Sequence, residues 1–289
     1  MHSISNNVIS IRAVNKGAEL QSIYHQQHKL EYLWSGDPSY WAKKSPVLFP
    51  IVGGLKGNTY HYKGNGYQLS RHGFARDNDF DLAEQTNTSL TFSLKSDDQT
   101  KQVYPFDFLF SVKYTIAEDK VLITFIVENT GDENLLFSVG AHPAFTVPLI
   151  EGTDYEDYYL EFNENEDAGR WPLSKDGLIE NEVIPFLIRQ NKLQLKKELF
   201  YKDAIVFKNL KSDSISILSD ITPHGLKVEF NGFPYMGIWA AKDADFVCIE
   251  PWCGIADSVN ATGNLEDKEG IQTLQTKQQF ERTYSIEVF

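Results

Sequence analysis

The chain has 289 residues, 42% of them hydrophobic and 23% charged, so it can bury a large core without staples and is not a disordered chain. Its 27 Lys and Arg stand against 40 Asp and Glu, a net charge of −13, which excludes a phosphate-neutralising nucleic-acid surface and disfavours anionic membranes. Two cysteines, Cys248 and Cys253, are too few for a disulfide framework, and Cys-x4-Cys without a second pair is a poor zinc signature, so no metal site is expected.

In chain order, the dominant rhythm is period two, the mark of half-buried strands. Residues 8–14 alternate first. Thr59–Tyr62 and Tyr67–Leu69 follow, joined by the turn Lys63-Gly64-Asn65-Gly66. Leu90–Leu94 and Phe108–Ile116 alternate next, and Ala117–Lys120 turns the chain into Val121–Val127. After Asn129–Asp132 comes an apolar run, Leu135–Val139. Later strands are expected at Tyr158–Phe162, Ala204–Phe207, Ile215–Leu218, Leu226–Phe230, Gly237–Ala240, Phe246–Ile249 and Thr283–Val288. Helical patterns are few and short, at Gln99–Tyr104 and Leu193–Phe200. Many short strands without a linker, repeat or low-complexity tract predict an all-β protein, a large antiparallel β-sandwich forming one domain over residues 1–289. The N-terminus lacks a charged segment followed by an apolar run, and no stretch approaches about 18 apolar residues, so a cytoplasmic protein is expected.

The chain lacks a dinucleotide-binding glycine pattern, a phosphate-binding Walker loop, a His-Glu-x-x-His helix and a Gly-x-Ser-x-Gly elbow. Three other segments place titratable side chains where strands give way to loops: Arg71-His72-Gly73-Phe74-Ala75-Arg76, Gly140-Ala141-His142-Pro143-Ala144-Phe145 and Ile249-Glu250-Pro251-Trp252. Proline follows both His142 and Glu250, which biases each towards extended geometry and a defined direction. An imidazole and a carboxylate so held suit general acid–base work. Each taken alone is more often an ordinary loop residue.

Together with Leu48-Phe49-Pro50-Ile51-Val52-Gly53, and in this order, these segments resemble the aldose 1-epimerases, the galactose mutarotase-like family, and most nearly its LacX-like branch. The resemblance runs from Gly17-Ala18-Glu19-Leu20 to the final strand. It implies a galactose mutarotase-like β-sandwich with an open cleft, no cofactor, and interconversion of the α and β anomers of an aldohexose. By that resemblance His142 is the general acid towards the ring oxygen and Glu250 the general base towards the anomeric hydroxyl. His72, Arg71 and Asp203 are the residues expected to bind the sugar. Reference pKa values of about 6.5 for His and 4.3 for Glu predict imidazolium facing carboxylate near neutral pH. In relatives an arginine often follows the Val-Gly of the first segment; here Gly54 stands there and the nearest cation is Lys56. A hexose 6-phosphate mutarotase is the alternative enzyme, with Arg71, Arg76 and Lys56 as candidate phosphate contacts. A sugar-binding protein without turnover is the non-enzymatic alternative. Trp41, Trp239 and Trp252 are candidates to stack on sugar, Trp252 foremost because it lies two residues beyond Glu250. The sequence does not define an oligomeric state.

Overall fold

Alternation is carried furthest in the hairpin around Glu118. In a computed structural model describing residues 1–289, Phe108–Ala117 and Lys120–Asn129 pair over ten consecutive antiparallel positions. Every second residue of Lys120–Asn129 is buried, which fixes the register because a one-residue slip would turn that apolar set to solvent. The hairpin belongs to a nine-stranded antiparallel sheet. Its order is Ile184–Gln194, Tyr158–Arg170, Ser214–Ser219, Leu226–Glu229, Gln279–Val288, Lys120–Asn129, Phe108–Ala117, Ser89–Lys95 and Asp81–Gln85. Gln279–Val288 follows every other strand in the chain, yet it lies in the middle of this sheet.

A second sheet has six strands. Its main order is Ile205–Lys208, Tyr235–Trp239, Phe246–Cys253, Val139–Ala141 and Val47–Leu48, with Ala144–Thr146 also on Phe246–Cys253. The two sheets face one another through interlocked aromatics. Phe49, just beyond Val47–Leu48, stacks on Phe110 at 4.5 Å, and Phe207 meets Phe162 edge-on at 6.1 Å. The result is the expected β-sandwich around a core cluster of 71 buried residues. A four-stranded sheet over residues 2–31 and two strand pairs complete the β-structure.

Three readings of the sequence are corrected. Leu193–Phe200 is not a helix: the strand Ile184–Gln194 runs through its start, and only Lys197–Phe200 forms a 3₁₀ turn. The strand pairs with Tyr158–Arg170, which holds Leu193 and Gln194 extended and leaves too few residues before Phe200 for a helix. Leu135–Val139 is two strands, Leu135–Phe137 and Val139–Ala141, which pair with different partners. Glu250 does not end a strand either, because Phe246–Cys253 continues through Pro251. The short helix lies at Asp98–Val103, where Asp97 accepts from the Thr100 N–H and the Thr100 hydroxyl accepts from the Asp97 N–H. No helix is long and apolar enough to cross a membrane.

Candidate active site

The six-stranded sheet has a break. Val139–Ala141 and Ala144–Thr146 both pair with Phe246–Cys253, Gly140 facing Trp252 and Ala144 facing Cys248. The register is the same on both sides of the break. His142 therefore falls directly opposite Glu250, Pro143 opposite Ile249, and Ala141 opposite Pro251. Ala144 directs its N–H to the Lys44 carbonyl and its carbonyl to the Trp34 N–H, away from Phe246–Cys253. By the antiparallel alternation, ladder bonds would then fall at 143/249 and 141/251, and each of those positions contains a proline with no N–H to donate. The intervening 142/250 position is of the kind in which opposed side chains approach most closely. The Trp252 indole N–H donates to the Ala141 carbonyl at 3.2 Å, supplying the donor that Pro251 lacks.

Across this break, His142 Nε2 and Glu250 Oε2 stand 3.3 Å apart. Both side chains are buried, Glu250 at 2% exposure. The His142 ring lies 4.9 Å from Trp41 and meets Trp239 edge-on at 5.5 Å. Desolvation pushes the His142 imidazole down to about 3, helped by the charges of Arg76 and Arg71. Desolvation, helped by the charge of Asp203, pushes the Glu250 carboxyl well above its ordinary range. Desolvation therefore favours the uncharged form of each partner, imidazole and carboxyl. It opposes the imidazolium–carboxylate pair expected from reference values, which mutual attraction favours. Either arrangement contains the same single mobile proton.

His72 is fixed by its neighbours on the Phe49–Gly53 segment. Its N–H donates to the Gly53 carbonyl at 2.9 Å, and its Nδ1 accepts from the Gly53 N–H at 3.1 Å. The ring proton consequently sits on Nε2. His72 has φ 69°, a left-handed conformation that is unusual for a side-chain-bearing residue and concentrated at functional sites. Gly73 follows at φ 71°, where a Cβ would run into the Phe49 carbonyl. The Phe74 and Ala75 N–H groups both donate to that carbonyl at 3.1 Å, pinning one recognised segment onto another. Burial holds the His72 imidazole well below its usual value.

Asp203 also has positive φ, 80°, and its Oδ1 accepts from the Ala204 N–H at 2.8 Å. Its Oδ2 lies 3.9 Å from an Arg71 guanidinium nitrogen. Arg76 donates to the Arg71 carbonyl at 2.9 Å, while its buried Nε has no hydrogen-bond partner.

His142, Glu250, His72, Arg71 and Asp203 all line one cleft of about 480 Å³, a size suited to a small ligand. Arg76, Lys242 and the three tryptophans line it as well. Lys56 does not. It is exposed, with its backbone N–H on Asp257, so the cleft takes its cations from Arg71, Arg76 and Lys242 instead. Trp252 is only 5% exposed and wedged against Gly140 and Gly237, whereas Trp41 and Trp239 offer more surface. Ile179, Val206, Trp252, Ile255 and Ala256 belong to a small apolar cluster that forms the cleft wall. Behind it the buried Lys268 ammonium donates to the Ile255 carbonyl and to Asp257, holding that loop in place.

Sequence reasoning missed the wall around Leu173, Gly177 and Ile179, which has no strong local pattern. It also missed the position of Cys248. The alternation Phe246, Cys248, Glu250, Trp252 was the available signal, since alternate residues of a strand share a face.

Comparison with known proteins gives the family and the fold. Residues 1–286 match the family described as aldose 1-epimerase. The chain is similar to the chromosomal LacX protein of Lactococcus lactis subsp. lactis, with 35% identity over 99% of this chain and 98% of that protein. It is also similar to a solved galactose mutarotase related enzyme from Lactobacillus acidophilus, at a TM-score of 0.94 and 35% identity, covering 100% of this chain and 97% of the other. A galactose mutarotase-like protein from Lactobacillus casei gives a TM-score of 0.93 at 26% identity, with both chains covered in full (100%).

Proposed function

Because the chain belongs to the aldose 1-epimerase family, we propose that it interconverts the α and β anomers of an aldohexose by acid–base ring opening between His142 and Glu250. The family is one of sugar-directed isomerases. The observation that carries the finer reading is the buried 3.3 Å contact between an imidazole and a carboxyl group inside a sugar-sized cleft.

The reaction needs one proton delivered to the ring oxygen and one removed from the anomeric hydroxyl. In the reactive tautomer His142 carries the mobile proton and Glu250 is a carboxylate. His142 protonates the ring oxygen as the ring C–O bond breaks, and Glu250 takes the anomeric hydroxyl proton as the carbonyl forms. This leaves imidazole and carboxyl, the uncharged forms that desolvation favours. Burial thus stabilises the open-chain stage, in which the aldehyde turns before reclosure returns both protons. His72 Nε2–H is a donor for the region of the ring oxygen. Arg71 and Asp203 form the rim that meets sugar hydroxyls. No covalent intermediate is required.

The test is the decay of optical rotation of freshly dissolved α-glucose or α-galactose, corrected for the spontaneous rate. Acceleration that is lost in His142→Asn and Glu250→Gln supports the reading. No acceleration with any aldose would favour a binding protein without turnover.

A second reading has its own observation. Arg71 and Arg76 line the cleft together, and the buried Arg76 Nε has no hydrogen-bond partner, its one ion-pair contact being Asp77 Oδ2 at 3.7 Å. A guanidinium pair suits a phosphate group, so the same measurement with hexose 6-phosphates distinguishes a phosphosugar mutarotase.

A further inference from the structure

Cys248 precedes Glu250 by two residues on the strand Phe246–Cys253, so their side chains project to the same side. The thiol is fully buried and takes no part in the proton transfers described above. His142 Nε2 or Nδ1, Cys248 Sγ and a Glu250 carboxylate oxygen provide three donor atoms within 4.8 Å of one another. No other trio of His, Cys, Asp or Glu in the protein gathers as tightly.

We propose that His142, Cys248 and Glu250 form a binding site for a thiophilic divalent cation, best matched by Zn²⁺, and that filling it shuts the sugar site. A nitrogen, a sulfur and an oxygen donor select zinc over the hard cations Mg²⁺ and Ca²⁺. Tetrahedral zinc with bonds of about 2.0–2.1 Å to nitrogen and oxygen places those two atoms roughly 3.3 Å apart. His142 Nε2 and Glu250 Oε2 are already 3.3 Å apart. Water from the cleft that His142 and Glu250 line would complete the shell as fourth ligand.

Proton balance favours occupation. A divalent ion displaces the thiol proton and the single proton shared by His142 and Glu250, so two protons leave as two positive charges enter. The net charge of the site is unchanged, and Arg71 and Arg76 do not oppose the ion more than they oppose the protons it replaces. The imidazole lone pair and the carboxylate are then committed to metal, and ring opening has neither acid nor base. The expectation of no metal site rested on the Cys-x4-Cys spacing and on the lack of close local spacing among His72, His142 and Glu250; the cluster contains Cys248 and not Cys253. The partners of Cys248 come from its own strand and from the segment across the break.

The test uses the full chain, freed of metal and titrated with Co²⁺ and Zn²⁺. A thiolate-to-cobalt charge-transfer band saturating at one ion per chain is expected. It should vanish in Cys248→Ala and in His142→Asn, and persist in Cys253→Ala. Zn²⁺ should suppress mutarotation, relieved by chelator and by excess sugar, and Cys248→Ala should lose at least tenfold in zinc sensitivity relative to its own metal-free rate. Absence of the band, or its persistence in either Cys248→Ala or His142→Asn, overturns the site. A band without inhibition overturns the shut-off. The inhibition rests on the mutarotase reading and the cobalt band does not, so the two can fail separately. Should Cys248→Ala not fold, Cys248→Ser and His142→Asn carry the same comparison.

Discussion

The backbone of Gly177 lies so close to the guanidinium of Arg71 that a Cβ at Gly177 would overlap it. Gly177 has φ 74°, so alanine there also meets backbone strain of roughly 1–2 kcal/mol. Gly177→Ala is expected to displace Arg71 from the rim facing Asp203. KM for sugar should rise severalfold, with a smaller change in kcat, because the reacting pair is untouched. Polarimetry over a range of sugar concentrations checks this.

Glu250→Gln should show stability and activity moving in opposite directions. The folded pKa of Glu250 is raised, so its contribution to stability is present below its unfolded value of 4.5 and is lost as pH rises towards the folded value. At neutral pH its burial is a net cost. The glutamine variant should therefore have a higher Tm than the unmodified protein at pH 7, and the gain should shrink as pH falls towards 4.5 and be lost below it. Its turnover should fall about 10²–10⁴-fold, the scale of one acid–base group. A Tm series with pH, run beside optical-rotation assays, measures both.

Asp203→Asn separates recognition from stability. The ion pair with Arg71 is long, and both side chains are about one third exposed or more, so it adds little to folding. Asparagine tolerates the left-handed backbone at this position. Tm should change by less than about 2 °C, consistent with a surface-level effect on a chain of this size, while KM rises. Unchanged KM would return Asp203 to the role of a loop charge.

The middle of the nine-stranded sheet carries an acid-sensitive network. Glu229 accepts from Lys120, Lys227 and Ser285, and Glu287 contacts the same two lysines. These contacts, working against desolvation, hold Glu229 down at about 2. A depressed carboxylate contributes stability that is present above its unfolded pKa and is lost as pH falls towards the folded value. Glu229→Gln should therefore lower the urea midpoint at pH 7, and the difference from the unmodified protein should vanish as pH falls from 4.5 towards 2. Solvent screening of a side chain 42% exposed limits the effect to about 1 kcal/mol.

The alternation of residues 108–127 made the central hairpin legible, because burial on one face writes directly into sequence. The order of the motif segments made the cleft legible: Arg71, His72, His142, Asp203 and Glu250 meet in it although none is near another in sequence except the first two. Three features were hidden. The strand Ile184–Gln194 owes its conformation to a distant partner, and its last residues read locally as helix. Pro251 reads as a terminator, yet the strand passes through it because the opposing segment has a break at the same level. The charge state of the His142–Glu250 pair depends on how much water reaches it, and residue type carries no record of that.

The place of Gln279–Val288 bears on how the protein is made. During synthesis this strand leaves the ribosome after all the others, yet Lys120–Asn129 and Leu226–Glu229 can join one sheet only through it. Until it arrives, both flanking strands present open, largely apolar edges of the kind that recruit other chains. Deletion of residues 279–289 should therefore drive the nascent protein into aggregates, although every residue of the cleft would still be present.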